Sequence, residues 1–138
     1  MDKVSKVFDA KIDNLHDVLG FVEEQFESHG ASMKVINIMN ISVEEMFANV
    51  CMYAYAQKNN EGNCTIEVWF EGEDGYVSLT DSGMFFNPLA KDDPNIHASA
   101  EERGIGGLGI YMVKEYMDDC TYERHDDMNT FTMKRKIK

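Results

Sequence analysis

Between residues 32 and 57, apolar side chains crowd more of a helix than one face can hold. Ile36, Ile38, Met39, Ile41, Val43, Met46, Phe47, Val50, Cys51 and Ala54 all fall within this stretch. A helix apolar on more than one face must be covered on more than one side. The pattern therefore predicts a helix over 32–57 pressed between other elements, not one resting on a surface. The rest of the chain has to supply that cover.

The flanking segments supply it in two periods. Val4, Phe8, Ala10 and Ile12 alternate imperfectly and predict a strand over 3–12. Asp13 or Asn14 can cap a following helix. Leu15, Val18, Leu19, Val22 and Phe26 then recur at three- and four-residue steps, with Gly30 suited to a left-handed end. Beyond the central helix, "CTIEVWF" and "YVSLTD" read as strands across the turn "EGEDG". A third helix is expected over 107–118, and "CTYERH" with "NTFTMKRKI" closes the chain as a hairpin across "DDM". Residues 82–103 hold both prolines, Pro88 and Pro94, and show no clear period. A connection of that length in a compact domain is usually functional or disordered, and a lid-like loop is expected here. The order predicts one α+β domain over 1–138: a two-layer sandwich with a mixed sheet and about three helices on one face.

Charge narrows the function. The formal net charge is −12, which opposes nonspecific nucleic-acid binding, since that needs lysine and arginine to neutralise phosphates. A small anionic ligand remains compatible if a metal ion or a helix end supplies local positive potential. No run approaches the roughly 18 apolar residues of a membrane helix, and the first residues lack the apolar stretch of a signal peptide. A cytoplasmic protein with no membrane partner is expected. Cys51, Cys64 and Cys120 are far apart and odd in number, so buried free thiols are expected instead of a disulfide framework or a zinc site. Met52, Met112 and Met117 read as core filler, and Trp69 as strand packing.

Three polar clusters interrupt this pattern. In "VEEMFANV", Glu45 and Asn49 lie four apart and share a helical face. A carboxylate and a carboxamide so placed can orient a nucleophile and hold magnesium, which takes oxygen ligands and bridges phosphates. In "LTDSGMFFNP", Asp81 ends a strand and Gly83 follows in a turn. A carboxylate there can accept from an exocyclic amine such as that of adenine, and glycine lets the backbone approach a flat base. In "ERGIGGLGIYMVKEYMDD", Gly104, Gly106, Gly107 and Gly109 run into a helix, where exposed N–H groups can receive phosphate. Taken singly, each cluster also fits an ordinary feature: a solvated helix stripe, an Asp-Ser-Gly turn, a glycine-rich helix start.

Their order along the chain resembles the GHKL (Bergerat-fold) ATPase superfamily, which includes histidine-kinase catalytic domains, gyrase and MutL-type ATPases. Within it, the length, the "EExxxN" helix and "GGLGIYMVKEYMDD" are similar to bacterial anti-sigma-factor serine/threonine kinases. The resemblance covers nearly the whole chain. It implies binding of ATP with Mg2+ and transfer of phosphate to a serine of a STAS-domain anti-sigma-factor antagonist. It also implies a sigma factor as a further partner and a homodimer. By the same resemblance Glu45 is the general base, Asn49 the magnesium ligand and Asp81 the adenine-binding residue. Gly83 marks the first glycine box; Gly106, Gly107, Leu108 and Gly109 form the second, whose backbone holds phosphate. Arg103 or Lys91 would be the cationic lid residue. The chain departs from the family's "DxGxG": Phe85 stands in the place of the second glycine, which changes how the loop closes on the base. An alternative reading from the same residues is a nucleotide-responsive binding module with little or no kinase activity.

Overall fold

The computed structural model describes residues 2–90 and 107–138. The chain opens with β1 (Val4–Asp9), turns through Ile12–Asn14, and enters α1 (Leu15–Ser28). α2 follows over Met33–Asn49, then a π-helical segment over Val50–Ala54. β2 (Asn63–Glu71) and β3 (Asp74–Asp81) form a hairpin; α3 (Gly107–Tyr116), β4 (Asp119–His125) and β5 (Met128–Lys136) complete the described fold.

The strands form one five-stranded sheet in the order β1-β2-β3-β5-β4. Every pairing is antiparallel, so the expected mixed sheet is corrected to an antiparallel one. The reason is the closing hairpin. β3 and β4 run the same way, joined through the segment that contains α3, but β5 folds back and inserts between them. The Asp126-Asp127 turn makes this possible, with both residues at positive φ (52° and 61°). Two consecutive positive φ values match the twist of the flanking strands.

Alternation divides the sheet into two faces. Phe8, Cys64, Ile66, Val68, Val77, Leu79, Phe131 and Met133 are buried on the helix side, with Val18, Val22 and Phe26 of α1 and Val43 and Phe47 of α2 in the same core. The opposite face carries Val7, 58% exposed, and the stacked pair Trp69–Tyr76, with Lys3 over the Trp69 ring. α2 packs between α1 and α3, which is the many-sided cover its sequence demanded.

Local details differ from expectation at several points. β1 stops at Asp9, because Ala10 N–H donates to Gly62 and Lys11 N–H folds back onto Asp9. Asn14 stands at the start of α1 without capping it; its Nδ2 donates to the Asp9 carbonyl at 3.0 Å instead. α1 does end before Gly30, whose φ is 78°. The helix expected over 32–57 is α-helical only to Asn49. Cys64 is buried, but Cys51 and Cys120 are only half-buried. Met117 is core, whereas Met52 is 54% exposed, since the π-helical segment turns it away from the sheet.

Candidate functional site

A cleft opens between the end of α2 and the end of β3. Met46, Val50, Leu79, Phe86, Pro88 and Phe131 give it apolar walls, and Asn49, Asp81, Tyr122 and Asn129 supply polar groups. The π-helical segment matters here. Its wider turn brings Val50, Tyr53 and Ala54 to the same cleft as Met46 and Asn49; π-turns recur at functional sites for this kind of re-aiming.

Asp81, the last residue of β3, is buried. Its Oδ1 accepts from the Gly83 N–H at 2.9 Å and from Asn129 Nδ2 at 3.0 Å. Its Oδ2 has no hydrogen-bond partner among the described residues. Asp81 lines the cleft, so this second carboxylate oxygen is an acceptor open to a ligand there.

Asn49 is also buried, and its Nδ2 donates to Glu45 Oε2 at 3.2 Å. That bond leaves the Asn49 Oδ1 as the amide atom without a partner among the described residues, a hard oxygen of the kind magnesium accepts. Glu44 is exposed on another side of α2, and Glu45 is half-buried. Gly109 of α3 sits against Glu45: a Cβ built there would lie 2.2 Å from the carboxylate carbon. Two clusters more than fifty residues apart in sequence thus meet at one carboxylate.

Gly83 makes a close approach within the protein itself. A Cβ at Gly83 would lie 2.2 Å from the Ala54 carbonyl oxygen, and the neighbouring Met84 N–H donates to that same oxygen at 2.9 Å. The close approach is to the end of the π-helical segment, which pins the loop after Asp81. Phe85 is 64% exposed and meets Tyr122 edge-on at 6.0 Å between ring centroids. Gly107 and Leu108 belong to the first turn of α3. Arg103, Gly106, Lys91 and the expected lid beyond Ala90 lie outside the described residues.

Sequence reading missed two parts of the site. The first is a row across the sheet: Asp81 faces Asn129 in the β3–β5 register, and Asn129 faces Arg124 in the β4–β5 register. Arg124 Nη1 donates to Asn129 Oδ1 at 3.1 Å and to the Gly83 carbonyl at 3.0 Å. The Tyr122 hydroxyl also donates to Asn129 Oδ1, and burial and the neighbouring Asp81 carboxylate are among the causes that raise the Tyr122 pKa. A signal existed: in "NTFTM", alternation puts Asn129 on the same face as Phe131 and Met133, and a polar residue on a core face needs partners. The second is Tyr55, buried, whose hydroxyl donates to the Asn63 carbonyl and accepts from the Ser82 N–H at 2.9 Å. It ties the residue after Asp81 to the start of β2. Nothing local in the sequence marks it.

The histidine kinase-like ATPase domain matches residues 8–135 of this chain. Two serine-protein kinases named RsbW, from the bovine RF122 / ET3-1 strain and the MRSA252 strain of Staphylococcus aureus, are each 30% identical over 124 residues. Each alignment covers 82% of this chain and 73% of the relative. A crystal structure of the RsbU and RsbW domains of Rv1364c from Mycobacterium tuberculosis shares the fold at a TM-score of 0.67 and 16% identity. That match covers 99% of this chain and 33% of the solved one, so the chain spans about a third of that larger protein. With the match spanning residues 8–135, and the described helices lying on one face of an antiparallel sheet, the chain belongs to the histidine kinase-like ATPase domain family.

Proposed function

We propose that this protein is an ATP-dependent serine kinase of the anti-sigma-factor type, acting on a STAS-domain antagonist. One observation carries the proposal: Asn49 and Asp81 line one cleft, and each offers it an oxygen without a partner among the described residues. A purine amine fits the Asp81 Oδ2, and the apolar walls fit the faces of a base. Among the described residues no group of three or more His, Cys, Asp or Glu is placed to hold a metal ion. A magnesium ion held by the Asn49 Oδ1 would take its other ligands from phosphate and water, and would offset phosphate charge.

The remaining assignments follow the family. Gly106, Gly107, Leu108 and Gly109 offer backbone N–H groups to the phosphates, and Arg103 serves as the lid cation. Glu45 takes the proton of the substrate serine as the new O–P bond forms and the bond to the β-phosphate oxygen breaks, releasing ADP. The protein works as a homodimer that also holds a sigma factor, in the cytoplasm. No described helix is long and apolar enough to cross a membrane.

A second reading is favoured by Phe85. An exposed ring replaces the second glycine and packs on Tyr122, so the loop closes differently on the base. That reading is a nucleotide-responsive binding module with little or no transfer. An affinity pull-down from native cell extract, with and without ATP and magnesium, separates the two. The kinase reading expects a STAS protein recovered and converted to its phosphoserine form only when both are added. Recovery that depends on ATP, with no phosphoserine formed, selects the binding module. Recovery indifferent to nucleotide removes both.

A further inference from the structure

The amide of Asn129 is held at both ends by partners of opposite kind. Its Oδ1 accepts from Arg124 Nη1 at 3.1 Å and from the Tyr122 hydroxyl. Its Nδ2 donates to the Met84 carbonyl at 2.9 Å and to Asp81 Oδ1 at 3.0 Å. Turning the amide over would set oxygen against a carbonyl and a carboxylate, and NH2 against a guanidinium. Every one of those contacts would be mismatched in a buried site, so only one orientation is available. The Gly83 N–H adds a second donor to the same Asp81 oxygen, at 2.9 Å.

We propose that Asn129 is a positioning residue of the base pocket: its fixed amide holds one side-chain atom of residue 81 inward, and so decides which atom faces the ligand whenever the two atoms differ. The proposal rests on the nucleotide reading above. The inner atom of residue 81 must be an acceptor, since Asn129 Nδ2 and Gly83 N–H both point at it. The outer atom is whatever remains. With aspartate it is a second acceptor, which suits a purine carrying an amine at C6. With asparagine the inner atom is still oxygen, so the NH2 is forced outward. An asparagine amide can in general present either its oxygen or its NH2 to a ligand; here that choice is removed. Asp81→Asn therefore does more than weaken ATP. It turns the pocket toward a purine carrying a carbonyl at C6.

The test uses ATP and inosine triphosphate, which differ in the base only by the C6 group and the N1 proton. Magnesium-nucleotide affinities are measured by calorimetry on the wild type, Asp81→Asn and Asp81→Asn/Asn129→Leu, with thermal unfolding as the folding control. Asp81→Asn is near-isosteric and keeps both inner hydrogen bonds, so it retains the fold. The wild type is expected to prefer ATP by about tenfold or more, the worth of one such hydrogen bond. Asp81→Asn is expected to bind inosine triphosphate at least as tightly as ATP. The double variant, with one inner donor gone, is expected to move back toward ATP severalfold. Continued preference for ATP in Asp81→Asn overturns the proposal. So does an unchanged preference between the single and double variants, because Gly83 would then fix residue 81 without Asn129. A wild type that binds neither nucleotide overturns the nucleotide reading itself, a result distinct from either.

Discussion

Gly109 of α3 lies so close to Glu45 of α2 that a Cβ built on it would stand 2.2 Å from the carboxylate carbon and 2.3 Å from Oε2. The obstruction is the far end of a flexible side chain, so the fold can yield there. Gly109→Ala is expected to leave stability within about 1 kcal/mol, helped by the better helix propensity of alanine, while displacing Glu45 from Asn49. Denaturant unfolding should show little change. Serine phosphorylation, on the kinase reading, should fall while ATP affinity holds. A wild-type transfer rate in Gly109→Ala would mean that the position of Glu45 is not critical.

Gly83 presents the opposite case. A Cβ there would lie 2.2 Å from the carbonyl oxygen of Ala54 and 2.6 Å from its carbonyl carbon. Backbone cannot step aside as a side chain can, and the Met84 N–H to Ala54 bond sits in the same place. Gly83→Ala is expected to destabilise the protein by about 1–3 kcal/mol, the usual cost of overpacking. A midpoint of urea unfolding equal to the wild type would contradict the packing described.

Tyr55 should be just as sensitive, through polarity instead of volume. Its hydroxyl serves the Asn63 carbonyl and the Ser82 N–H, and removing it strands a partly buried donor and acceptor together. Tyr55→Phe is expected to cost about 1–3 kcal/mol, and to loosen ligand binding at Asp81, one residue away. Denaturation paired with ATP titration checks both effects.

Glu45 and Asn49 are expected to separate chemistry from binding. Glu45→Gln keeps a group that can meet Asn49 but removes the base, so transfer should slow by about 10²–10⁴-fold with ATP affinity retained. Asn49→Ala removes the Oδ1 offered to magnesium, so the difference in ATP affinity with and without magnesium should shrink. If Glu45→Gln phosphorylates a STAS protein at the wild-type rate, another group is the base.

The thiols should be slow. Burial raises the pKa of Cys51 and of Cys120 to about 11 each, and pushes Cys64 still higher, with the nearby Asp81 carboxylate adding to it. The thiolate is the reactive form, so a raised value means less of it at neutral pH. Alkylation of Cys51 and Cys120 should be slower than for a free cysteine at pH 8 and should climb as pH rises toward 11. Cys64 should react only on unfolding. Mass-spectrometric timing of iodoacetamide labelling distinguishes the three.

Local periodicity determined much of this protein. The apolar steps of α1 and α2, the alternation of β2, β3 and β5, and the turn residues between them are short-range properties, and they placed the two layers correctly. Glu45 with Asn49 was legible because residues four apart on a helix are neighbours whatever surrounds them. Tertiary structure decided the rest. Whether β5 lies outside β4 or between β3 and β4 depends on pairing across the sheet, and only that insertion sets Asn129 opposite Asp81. The wide turn after Asn49 appears where the Ala54 carbonyl receives Met84, a partner thirty residues on. Gly83 and Gly109 read alike in the sequence, and only the folded chain sets one against a carbonyl and the other against a carboxylate. Sequence spacing carries the forces between near neighbours along the chain, whereas contacts that close across the sheet exist only once the whole core has formed.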